Sequence, residues 1–150
     1  MTEPIGLPNE HHQNGRAVLA LVAHDEKKDD LIRLARQYRS TLVRCHLIAT
    51  SHTGSQLAEE LGVPVECVRS GPEGGDIQIG ARIVAGDVDA VVFLRDPLTS
   101  HPHEPDIQAL MKVCDVHGVP LATNGASAEL LLRSLSQAAY WGRDAAAIHS

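Results

Sequence analysis

The sequence predicts an α/β fold: a three-layer open parallel sheet of about five strands flanked by helices, with Rossmann-like topology. Short apolar runs alternate with longer segments in which apolar residues recur every three or four positions, the pattern of repeated βαβ units. The run from Ala17 to Ala23 is apolar throughout, as expected for a strand that is covered on both faces. Right-handed crossover connections then place helices on both sides of the sheet.

The predicted elements follow one another in order from this first strand. Leu31, Leu34, Ala35, Tyr38 and Leu42 lie on one face of a single amphipathic helix. Further strands are predicted at 45–49, 65–68, 90–94 and 119–122, and the helices after them have apolar faces near 57–61, 77–84, 107–114 and 128–135. The pattern fades beyond residue 136.

The first residues differ from the rest of the chain. Residues 1–15 are polar and rich in turn formers, and they lack the basic start and apolar stretch of a signal peptide. We therefore expect a flexible N-terminal tail at 1–15. The remaining length suits one hydrophobic core, which predicts a single domain at 16–150.

Composition excludes several broad classes of function. The formal charge is −6 and no basic stripe is interleaved with aromatic residues, so we expect no nucleic-acid partner. No apolar run is long enough to span a membrane, so we expect no membrane association. Cys45, Cys67 and Cys114 follow neither a disulfide pattern nor a thiolate metal pattern, which favours a reducing cytoplasm.

Polar residues are concentrated directly after the predicted strands. In parallel sheets, ligands bind beyond the carboxyl ends of the strands. We therefore expect five segments of the chain to converge on one pocket. These segments are His24-Asp25, Thr50 to Thr53, Ser70 to Asp76, Asp96 to Asp106 and Thr123-Asn124.

The glycine-rich bend Ser70 to Asp76, with the sequence SGPEGGD, is the strongest single candidate. Glycine and proline permit a tight turn and a close approach to a ligand, and a helix N-terminus attracts an anion. Asp76 would then place a base beside a bound phosphate. The alternative is a plain turn in which Asp76 is the N-cap of a helix that begins near Ile77.

The other candidates suit a small phosphorylated molecule. Neither of the common nucleotide fingerprints, GxGxxG or GxxxxGK[ST], is present. Hydroxyl groups, close-approach glycines and one ammonium group are available instead. They belong to Thr50, Ser51, Thr53 and Ser70, to Gly54 and Gly71, and to Lys28.

The fourth loop, Asp96 to Asp106, contains two histidines and three prolines that stiffen it. One interpretation is a histidine that donates a proton or hydrogen bond, with carboxylates that set its tautomer. The alternative is that Asp96 and Asp106 cap local structure while His101 is exposed. A metal site made of His24, His101, His103 and these aspartates is a further alternative, although no HExxH or comparable spacing supports it.

Five motifs, in order, resemble the methylglyoxal synthase family across residues 17–135. They are ALVAHD at Ala20 to Asp25, SGPEGGD at Ser70 to Asp76, Asp96-Pro97-Leu98, PHEPD at Pro102 to Asp106, and VPLATN at Val119 to Asn124. The resemblance implies a cytoplasmic homohexameric lyase. Such an enzyme converts dihydroxyacetone phosphate into methylglyoxal and inorganic phosphate, with no metal or organic cofactor.

The resemblance also implies roles for individual residues. Asp76 matches the catalytic base and His103 the residue at the substrate carbonyl, while Asp25, Asp96 and Asp106 match supporting acidic residues. The residues that match substrate-binding positions are His24, Lys28, Thr50, Ser51, His52, Thr53, Ser70, Gly71 and His103.

Two positions depart from the family pattern. His52 stands where a second phosphate-binding threonine is common, and Lys112 stands where an arginine is common. These departures bear on phosphate affinity and on signalling between subunits. Because similar folds also serve as regulatory domains, a second class of function stays open: a module that binds a phosphorylated effector without catalysis. Such a module needs the phosphate site but not the carboxylates. The retained acidic residues favour the enzyme.

Overall fold

The computed structural model describes residues 15–137 as a five-stranded parallel sheet between two layers of helices. All four neighbouring strand pairs are parallel, which confirms the predicted fold class. The sheet order is β3-β2-β1-β4-β5. The strands are β1 Val18–Ala23, β2 His46–Thr50, β3 Glu66–Val68, β4 Ala90–Leu94 and β5 Leu121–Ala122. Most of the predicted tail, residues 1–14, and residues 138–150 lie outside the described range.

Between residues 15 and 137, six α-helices connect or follow these strands. The single helix predicted across residues 31–42 is interrupted at Tyr38, whose φ of −110° and ψ of 29° leave the helical region. The interruption redirects the chain so that Leu42 still reaches the core. The helices are α1 Lys28–Gln37, α2 Arg39–Leu42, α3 Ser51–Leu61, α4 Gly75–Val84, α5 Glu104–His117 and α6 Gly125–Leu135.

The two faces of the sheet bury separate apolar cores. In β1, Leu19 and Leu21 pack with α1, α3 and α6 on one face. Val18, Ala20 and Val22 pack with α4 and α5 on the other. Alternate side chains of a strand point to opposite faces, so a strand covered on both sides must be apolar at every position. The unbroken apolar run in the sequence has this cause.

The strand order creates a crevice between β1 and β4. From β1 the chain adds β2 and β3 on one side and then returns to add β4 and β5 on the other. At such a switch point the loops after the two central strands separate and leave room for a ligand. His24 and Asp96 follow these strands, and the His24 N–H donates to the Leu94 carbonyl at 3.1 Å.

Helices α3, α4 and α5 begin earlier than the sequence pattern indicated, and α6 also begins early, at Gly125. Helix α3 starts at Ser51, directly after β2, so residues 51–53 form its first turn rather than a loop. Helix α4 has Gly74 as its N-cap, in the left-handed region with φ of 102°, so the capping role considered for Asp76 is wrong. Helix α5 starts at Glu104, because Pro105 suits a first turn, so Asp106 is not its N-cap either.

Candidate active site

A cavity of about 500 Å³ opens at the carboxyl edge of the sheet, beside the switch point. It is lined by the segments that follow β1, β2, β3 and β4. Of the residues singled out in the sequence, those that line it are His24, Asp25, Lys28, Thr50, His52, Ser70, Gly71, Asp76, Asp96, His101 and His103. Ser51, Thr53 and Asp106 are not part of this lining.

The prediction that five segments share one pocket is wrong for the fifth. Thr123 and Asn124 line a second cavity of about 530 Å³, together with side chains of α1 and α6. The Asn124 side chain accepts a hydrogen bond from the Ser127 N–H at 2.9 Å and forms a capping box at the start of α6. Since β4 lies between β1 and β5, the loop after β5 is also displaced from the crevice.

Asp76 is a buried carboxylate that faces a histidine. Its relative exposure is 0%, and neither of its oxygens has a hydrogen-bond partner among the described residues. The His103 Nε2 lies 3.4 Å from Asp76 Oδ2, beyond a normal charge-assisted hydrogen bond. Burial raises the pKa of Asp76, the charge of Asp106 raises it further, and His103 opposes the shift. A carboxylate in this position accepts a proton more readily than an exposed one.

Gly71 allows His103 and Asp76 to come this close to the bend. A Cβ at Gly71 would lie 2.8 Å from His103 Nε2 and 3.6 Å from Asp76 Oδ2. Any side chain at this position would therefore displace the imidazole. The glycine is needed for space, because its φ is not positive.

His24 is held as a neutral imidazole in one tautomer. The Asp96 N–H donates to His24 Nδ1 at 2.8 Å, so Nδ1 carries no proton and Nε2 does. Burial, followed by the charges of His101 and His103, lowers the pKa of His24 from 6.5 to about 4. His24 Nε2 is buried and has no partner within residues 15–137. Its N–H is therefore free to donate to a ligand in the cavity.

Another part of the lining suits an anion. Thr50 is the N-cap residue of α3, yet its side chain makes no capping hydrogen bond, which leaves the hydroxyl free for a ligand. The N-terminus of a helix also attracts negative charge. Lys28 adds an ammonium group. Its side chain is 24% exposed, and its Nζ lies 3.1 Å from Asp25 Oδ1. Ser70 Oγ lies 3.3 Å from Glu73 Oε1 at the start of the bend.

The remaining predicted residues lie around this centre. The Asp25 side chain is 93% exposed, at the rim. Asp96 is buried and its Oδ1 accepts from the Leu98 N–H at 3.1 Å, so the predicted capping of local structure is confirmed. Thr53 is buried behind the lining, and its hydroxyl has no partner in the part of the chain that is described. Ser51 and Asp106 are half-buried in the first turns of α3 and α5.

Metal coordination finds no support in this part of the chain. Within residues 15–137, no group of three or more His, Cys, Asp or Glu side chains is arranged to hold a metal ion. His24 and His101 stack face to face instead, with ring centroids 3.7 Å apart.

No helix within residues 15–137 is long and apolar enough to cross a membrane.

Sequence reasoning gave no substrate-binding or catalytic role to two residues that line the cavity, His101 and Phe93. His101 is half-buried against His24 rather than exposed, and Phe93 makes an edge contact with His24 at 5.1 Å. Phe93 was assigned only to a strand, and nothing in the pattern distinguishes it from a core residue. The loop prolines were the only signal that His101 has a fixed position.

Comparison with known proteins identifies the class of the domain. The profile of the MGS-like domain family matches residues 30–123. The crystal structure of methylglyoxal synthase from Elizabethkingia anophelis aligns with a TM-score of 0.74 and 42% identity, covering 83% of this chain and 80% of that one. The fold and the site thus define an MGS-like α/β domain.

Relatives of known name identify the family within this class. Methylglyoxal synthase of Cupriavidus taiwanensis is 57% identical over 119 residues, which cover 79% of this chain and 90% of the relative. Methylglyoxal synthase of Burkholderia vietnamiensis is 56% identical over 119 residues, covering 79% and 92%. The chain belongs to the methylglyoxal synthase family.

Proposed function

We propose that this protein is a lyase that converts dihydroxyacetone phosphate into methylglyoxal and inorganic phosphate. The observation that carries the proposal is the buried, unpartnered carboxylate of Asp76, which faces His103 inside a cavity suited to an anion. Membership of the methylglyoxal synthase family supports the same chemistry. The roles of individual residues are part of the proposal.

The first step is removal of a proton from the hydroxymethyl carbon beside the ketone. Asp76 accepts the proton, and its raised pKa suits this task because burial increases its affinity for a proton. The electron pair forms a carbon–carbon double bond, and negative charge develops on the carbonyl oxygen. His103 donates a hydrogen bond to that oxygen, an interaction worth about 3–4 kcal/mol in comparable sites.

The second step is elimination of phosphate from the enediol phosphate. The bond between carbon and the bridging oxygen breaks, its electrons leave with the phosphate, and the remaining enol rearranges to methylglyoxal. Elimination requires this bond to stand out of the enediol plane. Lys28, Thr50, Ser70 and Gly71 hold the phosphate in that orientation, and the α3 N-terminus stabilises the departing anion.

The other predicted residues have supporting roles in this proposal. The His24 Nε2–H donates to a substrate oxygen, and His52 lies at the phosphate end of the lining. Asp25 pairs with Lys28, and the charge of Asp106 raises the pKa of Asp76. Ser51 and Thr53 form the α3 first turn behind the phosphate site.

Assembly and location extend the proposal beyond the site. A homohexamer in the cytoplasm, with inorganic phosphate as a product and a possible regulator, follows from the family resemblance alone. Light scattering on the purified protein tests the assembly, since six chains of 16.1 kDa give a particle of roughly 100 kDa.

The direct test mixes the purified protein with dihydroxyacetone phosphate and follows methylglyoxal and phosphate together. We expect the two products to appear in equal amounts, and unchanged rates in the presence of a chelator. Binding of the substrate without product release would instead identify a regulatory module. Formation of glyceraldehyde 3-phosphate without phosphate release would identify an isomerase.

A further inference from the structure

His101 contacts the substrate-facing His24 over its ring face. The two imidazoles are stacked, with centroids 3.7 Å apart and an interplanar angle of 21°. Phe93 contacts the same ring edge-on at 5.1 Å, with an interplanar angle of 75°. His103 is a third and more distant ring neighbour, edge-on at 6.2 Å. His24 is therefore restrained by these rings as well as by the hydrogen bond that it accepts from the Asp96 N–H.

Two of the restraints on His24 come from one loop. Asp96 begins the loop after β4, and His101 lies five residues later with its Nε2 3.4 Å from the Asp96 carbonyl oxygen. Pro97 and Pro102 reduce the conformational freedom of this segment. The loop thus contacts His24 at Nδ1 through a backbone donor and across the ring through an imidazole.

We propose that His101 is a positioning residue that keeps the His24 imidazole in the orientation and tautomer in which its Nε2–H faces the substrate. The inference rests on the proposed function for its kinetic consequence. Its structural content, one fixed orientation of His24, stands on the stacking contact and the Asp96 hydrogen bond.

The physical reason lies in the freedom that His24 has without this contact. One hydrogen bond at Nδ1 leaves the ring free to tilt, and tilting weakens that same bond, which is what fixes the tautomer. A stacked partner removes the tilt and excludes water from the ring face, and it keeps the buried Nε2–H available for a ligand. Any aromatic side chain at position 101 can provide this stacking contact, whereas the methyl group of alanine cannot.

The test compares two substitutions at this position. We expect His101→Ala to lower kcat/KM by about threefold to tenfold, mainly through KM, because the variant keeps the catalytic carboxylate but loosens a binding group. His101→Phe restores a stacked ring and should recover most of the loss. His117→Ala removes an exposed histidine at the end of α5 and serves as the matched control with unchanged kinetics.

A second measurement is independent of turnover. In the ligand-free protein, nitrogen-15 NMR of the imidazoles should report a single Nε2–H tautomer for His24 in the native protein and in His101→Phe. In His101→Ala we expect averaged shifts that indicate mixed tautomers or orientations. This readout decides the structural claim even if the native protein fails to process dihydroxyacetone phosphate.

Three results would overturn the inference. The first is native kcat/KM in His101→Ala, and the second is an unchanged single tautomer of His24 in that variant. The third is a His101→Phe variant as impaired as His101→Ala, because the ring nitrogens rather than the stacking would then matter. Absence of turnover in the native protein would refute the proposed function and leave the NMR comparison to decide the role of His101.

Discussion

At the scale of single residues, the site depends on distances that leave no room for extra atoms. Gly71 is the clearest case, since an added Cβ would approach His103 Nε2 to 2.8 Å. The atom in the way is the far end of a side chain, so the imidazole moves and the backbone does not. Catalysis should therefore respond more strongly than stability.

We expect Gly71→Ala to lower kcat by about 10²-fold, because a displacement of roughly 1 Å in a catalytic group has this effect. The free energy of unfolding should change by less than about 1 kcal/mol. Steady-state kinetics and urea unfolding measure the two quantities. Gly125→Ala is the matched control, since no atom lies within 4 Å of its added Cβ. Equal activity of the two variants would contradict the close approach seen at Gly71.

Residue-level chemistry could be predicted from the sequence only in part. The polar clusters of the cavity were identified because ligands bind beyond the carboxyl ends of parallel strands, and the glycine-rich bend singled out Asp76. The role of His103 came from the family resemblance. The stacking of His101 on His24 could not be predicted, because it depends on the path of a loop and on two rotamers. The exposure of the Asp25 side chain could not be predicted either, because it depends on the local path of the chain after β1.

At the scale of elements, α4 begins in an unusually tight bend. The Gly75 N–H donates to the Ser70 carbonyl at 2.8 Å, and a Cβ at Gly75 would overlap the Arg69 carbonyl oxygen. Here the obstacle is backbone, which cannot move aside as a side chain can. The bend therefore constrains the position of Asp76, the next residue of the helix.

Two glycines of α4 should respond in opposite ways to alanine. We expect Gly75→Ala to lower the free energy of unfolding by about 2–4 kcal/mol through this overlap. Gly80→Ala places its Cβ in ordinary contact with Val113 Cγ2 at 3.7 Å, so it should stabilise the helix by up to about 1 kcal/mol. Urea unfolding of both variants tests the contrast. Equal effects would show that the overlap at Gly75 is relieved at little cost.

The strands were easier to predict than the starts of the helices. A strand buried on both faces is apolar at every position, and β1 and β4 were found for this reason. The start of α5 was misplaced by three residues, because Pro105 in its first turn resembles a loop residue in sequence. The start of α3 was missed because its first turn carries polar residues that serve the site rather than the core.

At the scale of the whole molecule, the carboxyl edge of the sheet holds both a binding cavity and buried ionisable groups. The free energy of unfolding therefore depends on pH. The pKa of His24 is lowered to about 4 in the folded protein, whereas the unfolded chain has a value near 6.5. Between these values the unfolded state binds a proton that the folded state does not. The free energy of unfolding therefore falls as pH drops through this window.

We expect this single group to contribute a slope of at most about 1.4 kcal/mol per pH unit between pH 6.5 and 5. The pKa of Glu66 is lowered to about 2 by Arg82, so loss of its contribution begins only below about pH 4.5. Urea unfolding across this range should give a smaller slope for His24→Gln than for the native protein. Identical slopes would mean that His24 is protonated in the folded state.

The parallel α/β architecture could be predicted, but the division of the sheet edge into two cavities could not. Alternating strands and helices define the parallel sheet, and the sheet defines the edge at which ligands bind. Which side of the edge each loop faces depends on strand order, and strand order is not visible in the sequence. Thr123 and Asn124 were assigned to the wrong cavity for this reason.

The central claim is that Asp76 is the base at which the proposed lyase reaction begins. The most direct measurement is the rate of methylglyoxal and phosphate release from dihydroxyacetone phosphate by Asp76→Asn beside the native protein. We predict a fall in kcat of about 10²–10⁴-fold, because the amide cannot accept the substrate proton. The fold should be at least as stable, because the substitution removes a buried carboxylate charge that no hydrogen bond satisfies. Near-native release of both products by Asp76→Asn would contradict the account.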